Sequence, residues 1–289
     1  YRAPTRLIDR WMDPDWLIRR ARAQAGATWY GGEAYPDFWP NLGPDIFAAF
    51  LGEELEFGED TSWAKHGLAS WDGRPVFRLD LENRWWRAIC TMAEALVADA
   101  QGDYFVGVTD LHAGLDGLVS MRGPETLAMD LFDHPDAVKS AVFECFAVLQ
   151  KVHEKLLAIS KRNLPGYSDW MNVWHPGRAF TTSCDFMGMI SDADYREFVE
   201  PELKAQLAWF DASVFHLDGP GALRHLDALL ELKDLDGIQW VYGAGQPTAA
   251  HWLPVLQKIQ DAGKCIHVSV IPDDLPVLCA GLKPEGLMF

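Results

Sequence analysis

The chain has 289 residues, of which 49% are hydrophobic and 23% charged, the composition of a folded globular protein rather than of a disordered tail or a fibre. Its 25 Lys and Arg against 42 Asp and Glu leave a net charge of −17, which excludes the electrostatic footprint of a nucleic-acid-binding protein and disfavours anionic membrane surfaces. No uncharged apolar run approaches the roughly 18 residues of a membrane span.

Residues 1–65 are rich in Trp, Pro and Gly and read as an N-terminal extension that includes the first strand. Asp13 followed by Pro14 is a helix start, predicting a short helix over 14–25. The run 28–33 reads as a short strand that leaves through Gly31 and Gly32 and ends at Glu33. A helix follows over 85–100, then a buried strand over 102–109 that ends at Asp110. Pro124 and Pro135 open helices over 124–131 and 135–159. The stretches 167–174 and 179–184 are strand-like, with His175-Pro-Gly-Arg178 as the turn between them. A helix over 191–210 begins with the capping pair Ser191 and Asp194.

From residue 213 the alternation becomes regular. Strands over 213–216, 237–241, 265–271 and 286–289 are separated by helices over 221–232, 248–262 and 275–280. Strand and helix alternating at this spacing predict an α/β fold with a parallel sheet and right-handed crossovers. Seven or eight such strands point to a (β/α)8 TIM barrel, one domain spanning 1–289. The segments at 167 and 179 are too close together for a crossover helix. The chain starts at Tyr1 rather than Met and stops inside its last strand, so the expectation is that both ends are incomplete.

The five cysteines, at 90, 145, 184, 265 and 279, are odd in number, widely spaced and without a CxxC pair. This argues against a disulfide framework and fits a reducing, cytoplasmic setting. Cys90 and Cys145 fall in helical patterns, where each reads as a small buried apolar residue.

In a parallel barrel, chemistry gathers at the carboxyl ends of the strands. Those positions hold Glu33, Asp110, Asp185, His216 with Asp218, Gln246 and Asp273. A single Asp after a strand serves equally as a helix cap. Several carboxylates converging at one end repel each other, and call for a cation, a shared proton or a charged substrate. His216 and Asp218 are two apart in a strand, so they face one side together, and an imidazole with a carboxylate suits a divalent metal. The alternative is that Asp218 orients His216 or caps the next helix. His225, on that helix, reads as a surface or supporting residue. Gly243-Ala-Gly-Gln246 is a tight turn that brings Gln246 to the pocket. Tyr30, Trp39, Trp174 and Trp240 sit near strand ends, where they either wall a ligand site or pack in the core. Trp240 and Gln246 are the candidate cofactor-binding pair.

The segment Ser183-Cys-Asp-Phe, Met189-Ile-Ser191, Phe198-Val-Glu-Pro-Glu202 and Phe215-His-Leu-Asp-Gly219 resembles the uroporphyrinogen decarboxylase superfamily. The likeness runs from about residue 85 onward and, more loosely, over 30–51. The resemblance implies a (β/α)8 barrel with its site at the strand carboxyl ends, and two branches, the decarboxylases and the cobalamin-dependent methyltransferases. The decarboxylases carry an Arg-rich segment after the first strand. Here that place reads Gly31-Gly-Glu-Ala-Tyr-Pro-Asp37, acidic and without Arg, and would repel an anionic tetrapyrrole. The methyltransferases carry a zinc motif, His-x-Cys-Gly, where this chain has His216-Leu-Asp-Gly219, with a harder oxygen donor in place of sulfur. Their further Cys would fall at or beyond Phe289.

The resemblance therefore implies a methyltransferase acting on a small molecule, moving a methyl group between it, or a thiol or folate acceptor, and a corrinoid carried on a partner protein. His216 and Asp218 would be zinc ligands. Asp110 and Asp185 would orient substrate or act as acid and base, with Glu33 beside them. The alternatives are a decarboxylase or lyase working without a cofactor through Asp110, a carbohydrate-active barrel built on the carboxylates and Trp, and a non-catalytic barrel that docks a corrinoid protein.

Overall fold

A computed structural model describes residues 3–289; residues 1 and 2, the start of the expected N-terminal extension, lie outside it. The chain forms two compact units, one ending at Ala179 and the other spanning Phe180–Phe289. Each mixes helices with parallel β-structure, so the α/β class is as the alternation predicts. No helix among the described residues is long and apolar enough to cross a membrane.

The first unit is dominated by helices. Asp13 caps Pro14–Ala27 by accepting from the Asp15 N–H, and Asn83 caps Arg84–Ala100 by accepting from the N–H groups of Trp85 and Trp86. Two further helices, Pro124–Asp133 and Pro135–Ser160, each have proline in the first turn, as expected. Strand β1 (Asp37–Phe38), the hairpin β2 (Leu55–Phe57) and β3 (Ser62–Ala64), and β4 (Phe105–Val106) complete its named strands. β1 and β4 pair in parallel, and Val108 bridges in parallel to Asp169. Phe38 and Val106 pack with Ala21, Leu96, Ala100 and Tyr104, which joins this small sheet to the helices behind it.

Three local expectations are corrected here. The strand over 28–33 does not form: Trp29 is exposed, Gly32 is left-handed, and the Ala34 N–H turns back to the Gly31 carbonyl. The strand comes later, at Asp37. The stretch 167–174 is reduced to two isolated bridges, Asp169 with Val108 in parallel and Tyr167 with His175 antiparallel, and Asn172 takes a left-handed turn conformation. A helix at Gly114–Arg122 goes unread in the sequence because its two glycines mimic a loop. Gly117 is there for space: a Cβ would lie 3.1 Å from the Phe47 ring and 3.2 Å from the His112 carbonyl.

The second unit holds the regular sheet. β5 (Ala179–Ser183), β6 (Ala212–Asp218), β7 (Gly237–Val241), β8 (Cys265–Val268) and β9 (Leu287–Met288) lie side by side in chain order, and β6 to β9 pair in parallel. The order runs sequentially, without the reversal that marks a doubly wound sheet. The Ser191–Asp194 capping box is present, but the helix beyond it opens as a wide π turn over Tyr195–Val199 before Glu200–Trp209. Pro201 accounts for the change, since it lacks an N–H and its ring crowds the carbonyl four residues back. His225 is buried rather than on the surface, stacked on Tyr195 with its Nε2 2.9 Å from the Met187 carbonyl oxygen.

Register sorts the sheet into two faces. Phe215, Ile238 and Ile266 align across β6–β8, as do Leu217, Trp240 and Val268, and all six are at most 2% exposed. Leu217→Ala should lower the unfolding free energy by about 3 kcal/mol in urea titration, as a large-to-small change in a packed core does. A loss below about 1 kcal/mol would contradict this placement.

Candidate functional site

On the other face of the same strands the aligned row is polar: His216, Gln239 and His267. The alternation of β6 that buries Phe215 and Leu217 turns Val214, His216 and Asp218 together to this side. The His216 Nδ1 is hydrogen-bonded to Gln239 Oε1, its in-register neighbour. Asp185 opens the 3₁₀ turn Asp185–Met189 directly after β5, and its Oδ1 lies 3.9 Å from His216 Nε2. One donor atom each from Asp185, His216 and Asp218 lie within 4.8 Å of one another. The two carboxylates are exposed and the imidazole is largely buried, so a ligand would be approached from the carboxylate side. His267, on the same row, is pulled down to about 4 by burial and by the neighbouring His216, and its Nδ1 is buried without a hydrogen-bond partner among the described residues.

The remaining candidates of this unit are placed differently. Trp240 is in register with Leu217 on the apolar face, fully buried and packed edge-on against Trp252 at 5.1 Å. Its indole belongs to the core and not to the His216 face. Gln246 is exposed in the turn after β7, with its N–H 3.4 Å from the Gly243 carbonyl. At the next strand end the buried carboxylate is Asp274 rather than Asp273, and it accepts from Thr248, Ala250 and Ile271, a structural clamp.

Within the first unit, three titratable groups lie close together. Asp110 follows the β4 segment, as expected, and its Oδ2 lies 3.0 Å from His112 Nε2. His112 Nδ1 is 3.5 Å from Asp116 Oδ2, one turn into Gly114–Arg122. Burial pulls the imidazole pKa down, but the Asp110 and Asp116 carboxylates together outweigh it and hold it well above its ordinary value. His112 and Asp116 were not singled out in the sequence. The signal was Asp110-Leu-His112, an alternating pair like His216-Leu-Asp218.

Glu33 is exposed and outside any strand, and the acidic residue that the first strand does carry is Asp37. Asp37 accepts a hydrogen bond from Ser168, whose hydroxyl also lies 2.9 Å from that of Tyr35. Its Oδ1 is buried without a hydrogen-bond partner among the described residues. Burial raises its pKa to about 7 against the Ser168 hydrogen bond, with the Asp169 charge adding to the rise. Gly107 leaves the room, because a Cβ there would meet both Asp37 oxygens at 3.1–3.2 Å.

No protein-family model matches the chain, and no curated protein does either. Among solved structures it is similar to a methyltransferase from Methanosarcina mazei, with a TM-score of 0.60 over 93% of this chain and 84% of that one. The two share a fold. Sequence identity is 8%, so the likeness extends to architecture and not to the residues of a site.

Two pH dependences follow. A raised His112 pKa stabilises the fold fully below the unfolded value, and that contribution is lost as pH rises through the folded one. His112→Asn should therefore cost about 3 kcal/mol at pH 6 and progressively less in alkaline buffer, read from urea titrations of both proteins. A gap that widens with pH would refute the paired imidazolium. Asp37 acts in the same direction, since its raised pKa makes the carboxylate a cost that grows between about pH 4 and 7 and persists above. Asp37→Asn should stabilise the protein at pH 8 and have little effect at pH 4; destabilisation at pH 8 would contradict the desolvated carboxylate.

Proposed function

We propose that this chain is a methyltransferase of the uroporphyrinogen decarboxylase superfamily, a single barrel-type enzyme that binds zinc at Asp185, His216 and Asp218. The observation that carries this reading is the convergence of those three donors at the carboxyl end of β6, within 4.8 Å of one another. The donor set suits the ion. One imidazole nitrogen and two carboxylate oxygens leave a fourth position open, as catalytic zinc sites do. Two donors on a tetrahedral zinc lie about 3.3 Å apart, so the 3.9 Å between His216 Nε2 and Asp185 Oδ1 needs only a small side-chain adjustment. The M. mazei methyltransferase, sharing the fold, supports the reaction class; the corrinoid partner protein rests on the superfamily resemblance.

When bound, the ion would supply Lewis acidity, lowering the pKa of a thiol or hydroxyl acceptor so that it reacts as the anion. The chain's own residues do the rest. His216, seated between two β-strands, fixes the donor geometry. Asp185 and Asp218, which reach solvent, supply charge that offsets the cation and leaves the complex near neutral. Asp110, which contacts His112, would serve as a substrate-orienting or acid/base group. Glu33 has no comparable support and is the weakest member of the set.

One observation favours a second reading, a carboxy-lyase working through Asp110. The Asp110–His112–Asp116 cluster pairs a carboxylate with a proton-bearing imidazole, the equipment for protonating a carbanion without a cofactor. Metal analysis separates the two. The purified full chain should take up about one zinc per molecule, and Asp218→Ala should lose it while keeping the fold by circular dichroism. Methyl transfer from a methylated corrinoid to a thiol should fall by at least about 100-fold in the same variant. Absence of stoichiometric zinc in the wild type, with unimpaired turnover of a carboxylated substrate, would overturn the methyltransferase reading.

A further inference from the structure

A ligating histidine presents a lone pair from one ring nitrogen only, and which nitrogen does so is set by the bond the other makes. In β6 the ring of His216 has both nitrogens in use. Its Nδ1 meets Gln239 Oε1, and its Nε2 faces the Asp185 carboxylate. An isolated neutral imidazole carries its proton mainly on Nε2, the wrong place for a ligand aimed at Asp185. The amide oxygen of Gln239 only accepts, so the hydrogen bond requires the proton on Nδ1.

The geometry points to Gln239 as a positioning residue that holds His216 in the Nδ1–H form and turns its Nε2 lone pair toward the carboxylates. This rests on the zinc reading above for its purpose but not for its test.

Three observations support the assignment. The two residues are in register in the parallel pairing of β6 and β7, so backbone hydrogen bonds hold the donor and acceptor strands together. Gln239 is a buried polar side chain in a strand whose neighbours Ile238 and Trp240 are fully buried and apolar, a position where an amide is costly without a partner. Nothing about core packing asks for Gln there, and a Leu of similar length would serve the core better. The third observation is the far side of the row. His267, in register with Gln239 on β8, adds no positive charge because burial lowers its pKa to about 4. The amide thus lies between two imidazoles in the row, and His216 Nε2 lies 3.9 Å from Asp185 Oδ1.

The experiment is long-range ¹H–¹⁵N NMR of the histidine rings in the metal-free full chain at about pH 8.5, where ordinary imidazoles are neutral. His216, assigned through His216→Gln, should show the protonated-nitrogen shift at Nδ1 and the lone-pair shift at Nε2. In Gln239→Leu the two shifts should exchange toward the Nε2–H form. In Gln239→Glu, which keeps an acceptor oxygen, they should stay. Competition with a zinc chelator should then show affinity about 10- to 100-fold weaker in Gln239→Leu, and nearer the wild type in Gln239→Glu. A wild-type His216 in the Nε2–H form would overturn the assignment outright, as would an unchanged tautomer in a folded Gln239→Leu. If the tautomer behaves as expected and zinc does not bind, the positioning role stands and the zinc reading fails. If Gln239→Leu does not fold, the wild-type and Gln239→Glu spectra still decide.

Discussion

The parallel register of β6, β7 and β8 is the constraint on which the second unit depends. Backbone hydrogen bonding fixes the strands residue against residue, and the pleat then assigns every side chain to one of two faces. A shift by one residue would send Phe215 and Leu217 to the polar face and bury His216 and Asp218 among hydrocarbon. The apolar rows therefore do two things. They supply the hydrophobic stabilisation of the sheet, and they lock the position of the polar row behind them. A metal ligand on a strand so clamped is held more closely than one on a loop, the arrangement a preorganised site requires.

The polar groups are expensive by comparison. His112 is held as a cation because two carboxylates bracket it, and Asp37 keeps an oxygen buried with no hydrogen-bond partner among the described residues. Folding does not need either group, and an apolar residue of similar size would be cheaper in both places. Groups retained at such a cost are where function is to be sought. The same contrast separates Asp274 from the rest. Its hydrogen bonds from Thr248, Ala250 and Ile271 tie two segments together, a structural use of a buried carboxylate.

The sequence was readable where local chemistry and tertiary structure agree. Pro14, Pro124 and Pro135 mark helix starts because their missing N–H costs nothing there, and the strand over 237–241 is bounded by a glycine and a loop that leave no alternative. The shared face of His216 and Asp218 follows from period-two alternation alone. Other features depend on contacts that no local pattern carries. The first strand sits at Asp37 rather than before Glu33 because its partner, Phe105, is far along the chain. Trp240 and His216 both lie near strand ends, and only the pairing register shows that they face opposite ways. Gln239 looks like any polar residue in a strand until His216 is set beside it. The approach of Asp185 to His216 likewise joins two strand ends more than thirty residues apart, and Asp218 comes with the strand.

The proposed zinc has nitrogen and oxygen donors and no sulfur. X-ray absorption at the zinc edge of the zinc-loaded chain tests it most directly. The account predicts a single shell of nitrogen and oxygen at about 2.0–2.1 Å, with the outer scattering of one imidazole and no sulfur at about 2.3 Å. A zinc–sulfur distance, or a spectrum without imidazole scattering, would contradict it.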